Sequence, residues 1–165
     1  MKIHNHSMYI NPHEQRGNRQ REAIPCKWVF KVKYKEDGHI ERFKARLVVK
    51  GHVQKHRIDY DETFSPIVRF SSIRVLLSFA LQHGMHIHQM DVVTAFLHGK
   101  LEEEIYMMQP SGYSVKGKVN LVCRLKKSLY GSKQSSHCWA KAFQQYVETL
   151  RFSQCSRSLC LYPSG

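Results

Sequence analysis

The segment KWVFKVKYKEDGHIERFKARLVVKG, from Lys27 to Gly51, does most to limit what this chain can fold into. Two runs rich in Val, Phe and Tyr flank Asp37-Gly38, a dipeptide that supports the positive φ angles of a tight turn. Lysines and arginines recur through both runs, so the expected product is a basic β-hairpin.

The residues beyond Gly51 supply the rest of a domain. After the loop HRIDYDETFSP, Ser71 or Ser72 can cap a helix through IRVLLSFALQH; Ile73, Leu76, Leu77 and Ala80 form an apolar face for a core, and Gly84 is placed to end it. HIHQMDVVTAF reads as a strand, because Val92 and Val93 favour extended backbone and the run is short. EEIYMMQ and VNLVCRL form a second pair of β-prone runs around the turn-rich PSGYSVKGK. Trp139, Phe143, Tyr146, Val147 and Leu150 then recur at helical spacing, preceded by the polar GSKQSS. The order hairpin, helix, strand, hairpin, helix predicts an α+β fold with a mostly antiparallel sheet and two main helices. Residues 1–23 are polar and aperiodic and read as a disordered arm, leaving 24–165 as the domain.

A length of 165 residues fits one domain, and a hydrophobic fraction of 42% is enough for a core. Lysine and arginine number 26 against 13 acidic residues, a net charge of +13. Such an excess either solvates a generally basic surface or serves a polyanionic partner, nucleic acid ahead of a membrane. The longest apolar runs fall short of the roughly 20 residues of a membrane span, and MKIHNHSMYINPHEQ has no signal-peptide core. The expectation is an intracellular protein, cytoplasmic or nuclear, not secreted and with no membrane partner. Five scattered cysteines do not form a disulfide framework, and His83, His86, His88, Cys155 and Cys160 lack the paired spacing of a zinc site.

Asp91 stands alone in an apolar run. A carboxylate there is costly to desolvate unless it is paired or binds a cation, so it is a structural salt bridge, a solvated strand end, or a metal ligand. LEEE at 101–104 is expected to be a solvated turn rather than a metal cluster. Nucleotidyl transfer employs two divalent ions held by carboxylates on adjacent strands. A basic hairpin would then hold the triphosphate.

CKWVFKVKY, ERFKARLVVKG, IDYDETFSPIVRFSSIR, IHQMDVVTAFLHGKLEEEIYM and LKKSLYGSKQSSHCW occur in this order between Cys26 and Tyr162. In text and order they resemble the reverse transcriptase of copia-type long-terminal-repeat retrotransposon Pol polyproteins. The resemblance implies the fingers and first part of the palm of an RNA-directed DNA polymerase. It implies that Asp91 and the backbone carbonyl of Val92 are ligands of a two-ion Mg²⁺ site. Phe96 matches the aromatic gate that excludes a 2′-hydroxyl, its alternative being an ordinary core phenylalanine. Arg46 matches the arginine that contacts the triphosphate, with a companion lysine left open among Lys33, Lys35 and Lys44. Tyr130 and Gly131 match the motif beside the nucleotide, and Trp139 reads as a core-facing helix residue. Implied partners are an RNA template, a DNA primer, deoxynucleotides and the remaining Pol polyprotein segments.

The chain departs from the family pattern at Ser132, where leucine is usual, and at Ser135-Ser136-His137, where a small residue, proline and arginine are usual. The family's Tyr-x-Asp-Asp motif has no counterpart, since no Asp or Glu follows Glu148. The expectation is a polymerase fragment that is inactive as written. The alternative is a non-catalytic basic nucleic-acid-binding remnant or pseudogene product.

Overall fold

A computed structural model describes residues 12–14, 22–114, 116–117 and 120–164. Two antiparallel sheets and two helices make up an α+β fold. Strand β1, Pro12–Glu14, pairs with β5, Leu121–Lys127, which pairs in turn with β4, Lys100–Met108, giving the order β1-β5-β4. The second sheet is the expected hairpin, β2, Cys26–Tyr34, against β3, Ile40–Val49. Of the arm expected over 1–23, residues 12–14 form β1 and Glu22 and Ala23 lead into Ile24; the remainder lies outside the described residues.

The hairpin turns where its sequence says it should. Gly38 has φ +83°, and the Asp37 carboxylate accepts the His39 amide at 2.9 Å. Directly paired residues share a face, so Val29↔Arg46, Lys31↔Lys44 and Lys33↔Arg42 put five cations on one side of the ribbon. Trp28↔Leu47, Phe30↔Ala45 and Val32↔Phe43 make the other side apolar.

Ile24 joins the sheets. Its amide donates to Tyr106 O at 2.8 Å and its carbonyl accepts from Met108 at 3.0 Å, so the chain leaves the edge of β4 directly into β2. The core lies at this junction: Ile24, Leu47, Val49, Ile105, Met107, Cys123, Leu125 and Leu129 are buried, with Cys26, Trp28, Leu97 and Leu101 packed against them. The five cysteines are free thiols. No helix of the described residues is long and apolar enough to cross a membrane.

Four local readings need correction. Helix α1, Phe70–Gln82, begins at Arg69 without a side-chain cap, and Ser71 and Ser72 lie inside it. Arg74 stacks over Phe70, 4.6 Å from its ring centroid, and so supports a first turn that starts earlier. The core-facing stripe of α1 also fails: no residue of this helix is buried, because no described element covers Leu76 and Leu77. The strand expected over HIHQMDVVTAF is irregular through Val92, turns at Thr94 in the left-handed region and becomes a 3₁₀ turn at Ala95–His98. Strand preference is largely a packing preference, and no described strand pairs with this segment. LEEE is part of β4 rather than a turn, with Glu102 bonded to Lys141 of helix α2, Ser135–Thr149, and Glu104 3.5 Å from Arg124.

Helix α2 lies over the 3₁₀ turn and β4, burying Ser135 and Cys138. Trp139 is half-buried between His98 and Phe143, with ring centroids at 6.3 and 5.7 Å, while Tyr146 and Leu150 of the expected apolar face are exposed.

Candidate nucleotide cleft

A cleft of about 610 Å³ opens between β3, residues 91–97 and the turn after β5. Alternation along β3 sends Arg42, Lys44 and Arg46 to the same side, and all three line the cleft. Across it lie Asp91, Val92 and Phe96, and its floor is Leu129 and Tyr130. Of the three lysines left open by the sequence, Lys44 lines the cleft and Lys33 and Lys35 do not.

The wall on the β3 side is built from stacked groups. The Arg46 guanidinium sits 5.2 Å from the centroid of the Tyr130 ring, a cation–π contact, and Phe96 meets that ring edge-on at 5.4 Å and 77°. A planar guanidinium held this way keeps its donors available for bidentate bonds to phosphate oxygens. The Arg46 charge is also the main reason that the Lys44 pKa falls below the ordinary lysine value. Burial, Lys33 and Arg42 add to the fall, and Asp91 opposes it. Cations crowded together in this way favour an anionic ligand, because each one's charge is relieved by it.

Gly131 does not line the cleft; its role is the close approach of its turn to β3. Its φ is +88°, and a Cβ there would lie 2.2 Å from Val49 O, so the Val49 amide can reach Tyr130 O at 2.8 Å. The family-atypical serines are accommodated locally. The Ser132 and Ser135 hydroxyls lie 2.5 Å apart and both bond to Leu129 O, and His137 Nδ1 donates to Phe64 O at 2.7 Å.

The opposite wall is anchored from one end. The buried Ser128 hydroxyl donates to Phe96 O and its amide donates to Gly99 O at 2.9 Å, which pins the 3₁₀ turn to the end of β5. Asp91 is exposed and is not among the ion-paired carboxylates of the described residues, Glu22, Glu41, Glu102 and Glu104. Its carboxylate and the Val92 carbonyl are hard oxygen donors, which suit a hard dication rather than zinc. They are a partial set, since no three His, Cys, Asp or Glu side chains gather at one point among the described residues.

Ser128, Gln54 and Gln134 were not singled out by the sequence, although all three are buried polar residues that shape the cleft's surroundings. The one available signal was a glutamine in the motif between Tyr130 and Trp139. A second cleft of about 670 Å³, lined by Ile24, Lys55, Asp59 and Leu121 among others, brings together none of the predicted site residues.

A cationic strand, a cleft carboxylate and the aromatics between them give this α+β domain a cleft whose charge suits an anionic ligand. Over residues 15–165 the sequence matches the family described as reverse transcriptase (RNA-dependent DNA polymerase). It is 49% identical over 142 residues to the retrovirus-related Pol polyprotein from transposon TNT 1-94 of Nicotiana tabacum, which covers 86% of this chain and 11% of that protein. With the Pol polyprotein from transposon RE1 of Arabidopsis thaliana it shares 44% over 129 residues, 78% of this chain and 9% of the relative. With the transposon Ty1-BL Gag-Pol polyprotein of Saccharomyces cerevisiae it shares 36% over 120 residues, 72% and 6% of the two chains. No solved structure matches. The chain belongs to the reverse transcriptase family, in its copia-type branch, and spans 11% or less of the length of these three relatives. That family works with divalent metal ions.

Proposed function

We propose that the cleft receives the triphosphate and sugar of an incoming deoxynucleotide in RNA-templated DNA synthesis. The supporting observation is convergence: Arg46 from β3, Asp91 and Phe96 from residues 91–97, and Tyr130 from the turn after β5 all line one cleft.

Arg46 and Lys44 neutralise the phosphates, the guanidinium in bidentate fashion and the ammonium as a point charge. Asp91 and the Val92 carbonyl would hold Mg²⁺, which, when bound, would supply charge stabilisation at the transferring phosphoryl group. Phe96, held edge-on by Tyr130, lies under the sugar and leaves no room for a 2′-hydroxyl. Tyr130 closes the floor and keeps water from the Arg46 face. The RNA template, the DNA primer and the further Pol segments complete the reaction outside these residues.

The test is calorimetric titration of the purified chain with dATP·Mg²⁺ in low salt, beside an Arg46→Ala variant. Saturable binding that weakens about tenfold in the variant is the expected result. Binding that is absent, or indifferent to Arg46, rejects the reading. A Phe96→Val variant should narrow the preference for dATP over ATP, and an unchanged preference returns Phe96 to the role of packing residue.

A further inference from the structure

Outside the cleft, two buried glutamines form a relay that the proposed chemistry does not use. Gln134 is 0% exposed and Gln54 5%. The Lys133 amide donates to Gln54 Oε1 at 2.8 Å, Gln54 Nε2 donates to Gln134 Oε1 at 3.1 Å, and Gln134 Nε2 donates to the Asp59 carbonyl at 2.9 Å. Asp59, itself buried, accepts the Lys55 amide at 2.8 Å.

The direction of the relay is fixed from both ends. A backbone amide at Lys133 requires an acceptor on Gln54, and a backbone carbonyl at Asp59 requires a donor on Gln134, so the middle bond has one arrangement. Amides aligned head to tail polarise one another in a buried site, and a missing member leaves unsatisfied groups at a cost well above the worth of one exposed bond.

The relay joins two loops at their closest approach. Residues 51–60 come after β3, and residues 129–135 carry Tyr130 and Gly131. A Cβ at Gly51 would lie 2.1 Å from Gly131 O, so the loops touch backbone to backbone. Lys133 spans the same gap, its ammonium donating to the Tyr60 hydroxyl at 3.1 Å.

We propose that Gln134, acting through Gln54, is a positioning residue of the cleft: it clamps the Tyr130 turn onto β3 and thereby fixes the Tyr130 ring beneath Arg46. The proposal rests on the triphosphate reading for its consequence in binding, and its structural half stands on the relay alone. Gln134→Met keeps the volume and removes both bonds. Hydrogen exchange then reads the clamp directly, because the Val49 amide is protected by Tyr130 O.

In Gln134→Met the protection of Val49 is expected to fall roughly tenfold while amides of β4 and β5 keep theirs. The affinity for dATP·Mg²⁺ should fall about three- to tenfold, and this loss should vanish in an Arg46→Ala background, since residues acting through one another are not additive. Unchanged Val49 protection, a uniform loss across the sheet, or an equal affinity loss with and without Arg46 overturns the proposal. Should Gln134→Met not fold, Gln134→Asn takes its place, and global unfolding of both makes Gln134 a determinant of the fold, which also overturns it. A wild-type chain that binds no dATP·Mg²⁺ removes the triphosphate reading, and the Val49 amide still decides the clamp.

Discussion

Met107 and Met90 are the same residue with opposite fates: Met107, in β4, is 0% exposed, and Met90, beside Asp91, is 90% exposed. Their neighbourhoods differ in the same way. Around Met107, Ile105, Cys123, Leu125 and Leu129 close a core between the sheet and the base of the hairpin. Along residues 67–93, Ile67, Leu81, Ile87 and Val93 also stay exposed, although this stretch is no less apolar in sequence. Burial here depends on which segments find a partner element, and hydrophobicity alone does not provide one. The cleft straddles the boundary. Its Arg46–Tyr130 wall rests on Leu47, Val49 and Leu129, whereas its Asp91 wall is tied down at the 3₁₀ turn by Ser128. On the triphosphate reading, the phosphate-binding cations belong to the packed half, and placement of the carboxylate belongs to the half that buries little.

Truncations give the largest expected contrast. Met107→Ala should cost about 2–5 kcal/mol, because the cavity it leaves cannot collapse between two sheets. Leu77→Ala on α1 should cost about 0.5 kcal/mol or less. Urea midpoints measure both, and similar losses would erase the distinction between the two regions.

Gly131→Ala tests the seam of the packed wall. A positive φ and a Cβ forced against Val49 O should together cost about 2 kcal/mol, with the affinity for dATP·Mg²⁺ falling alongside stability. Full retention of both would mean that the turn is free to move away from β3.

Cys138, 7% exposed on the buried face of α2, probes the packed region by pH. Burial, and after it the charges of Glu103 and Glu102, pushes its thiol up to about 11 from 9.0. The unfolded chain loses this proton near pH 9 while the folded chain keeps it, so the unfolded state binds fewer protons and stability falls as pH rises from about 9 to about 11. The part due to Cys138 should be on the order of 2 kcal/mol and should be lost in Cys138→Ala, leaving the smaller loss from Cys26 and Cys123, whose thiols burial also pushes up, as read from urea midpoints across that range. A flat profile would show that Cys138 is accessible. The smallest effect belongs to the surface pair Lys141–Glu102, whose side chains are 50% and 74% exposed. Lys141→Met should leave the midpoint unchanged at physiological salt.

Much of this was legible in the sequence where the signal is local. The turn at Asp37-Gly38, the β4–β5 pair and both helices arise from dihedral preference and periodicity, which act over a few residues. Arg46, Asp91, Phe96 and Tyr130 were nameable because their motifs resemble a family. The relay of Gln54 and Gln134 was hidden, since a glutamine in a polar motif reads as surface until a distant loop buries it. The strand over HIHQMDVVTAF and the burial of α1 were misjudged for the converse reason. Val92, Val93 and Leu77 carry the right preferences, but a strand needs an adjoining edge and an apolar stripe needs a covering element.

The division of the cleft is tested most directly by titrating dATP into wild-type, Arg46→Ala and Asp91→Asn chains, each with and without Mg²⁺. Arg46→Ala should weaken binding about tenfold in both conditions, because its phosphate contacts need no ion. Asp91→Asn should strengthen binding without Mg²⁺, where the carboxylate only repels the triphosphate, and weaken it with Mg²⁺, where the carboxylate holds the ion. An Arg46→Ala chain that binds as the wild type does, or an Asp91→Asn effect with the same sign in both conditions, would contradict the account.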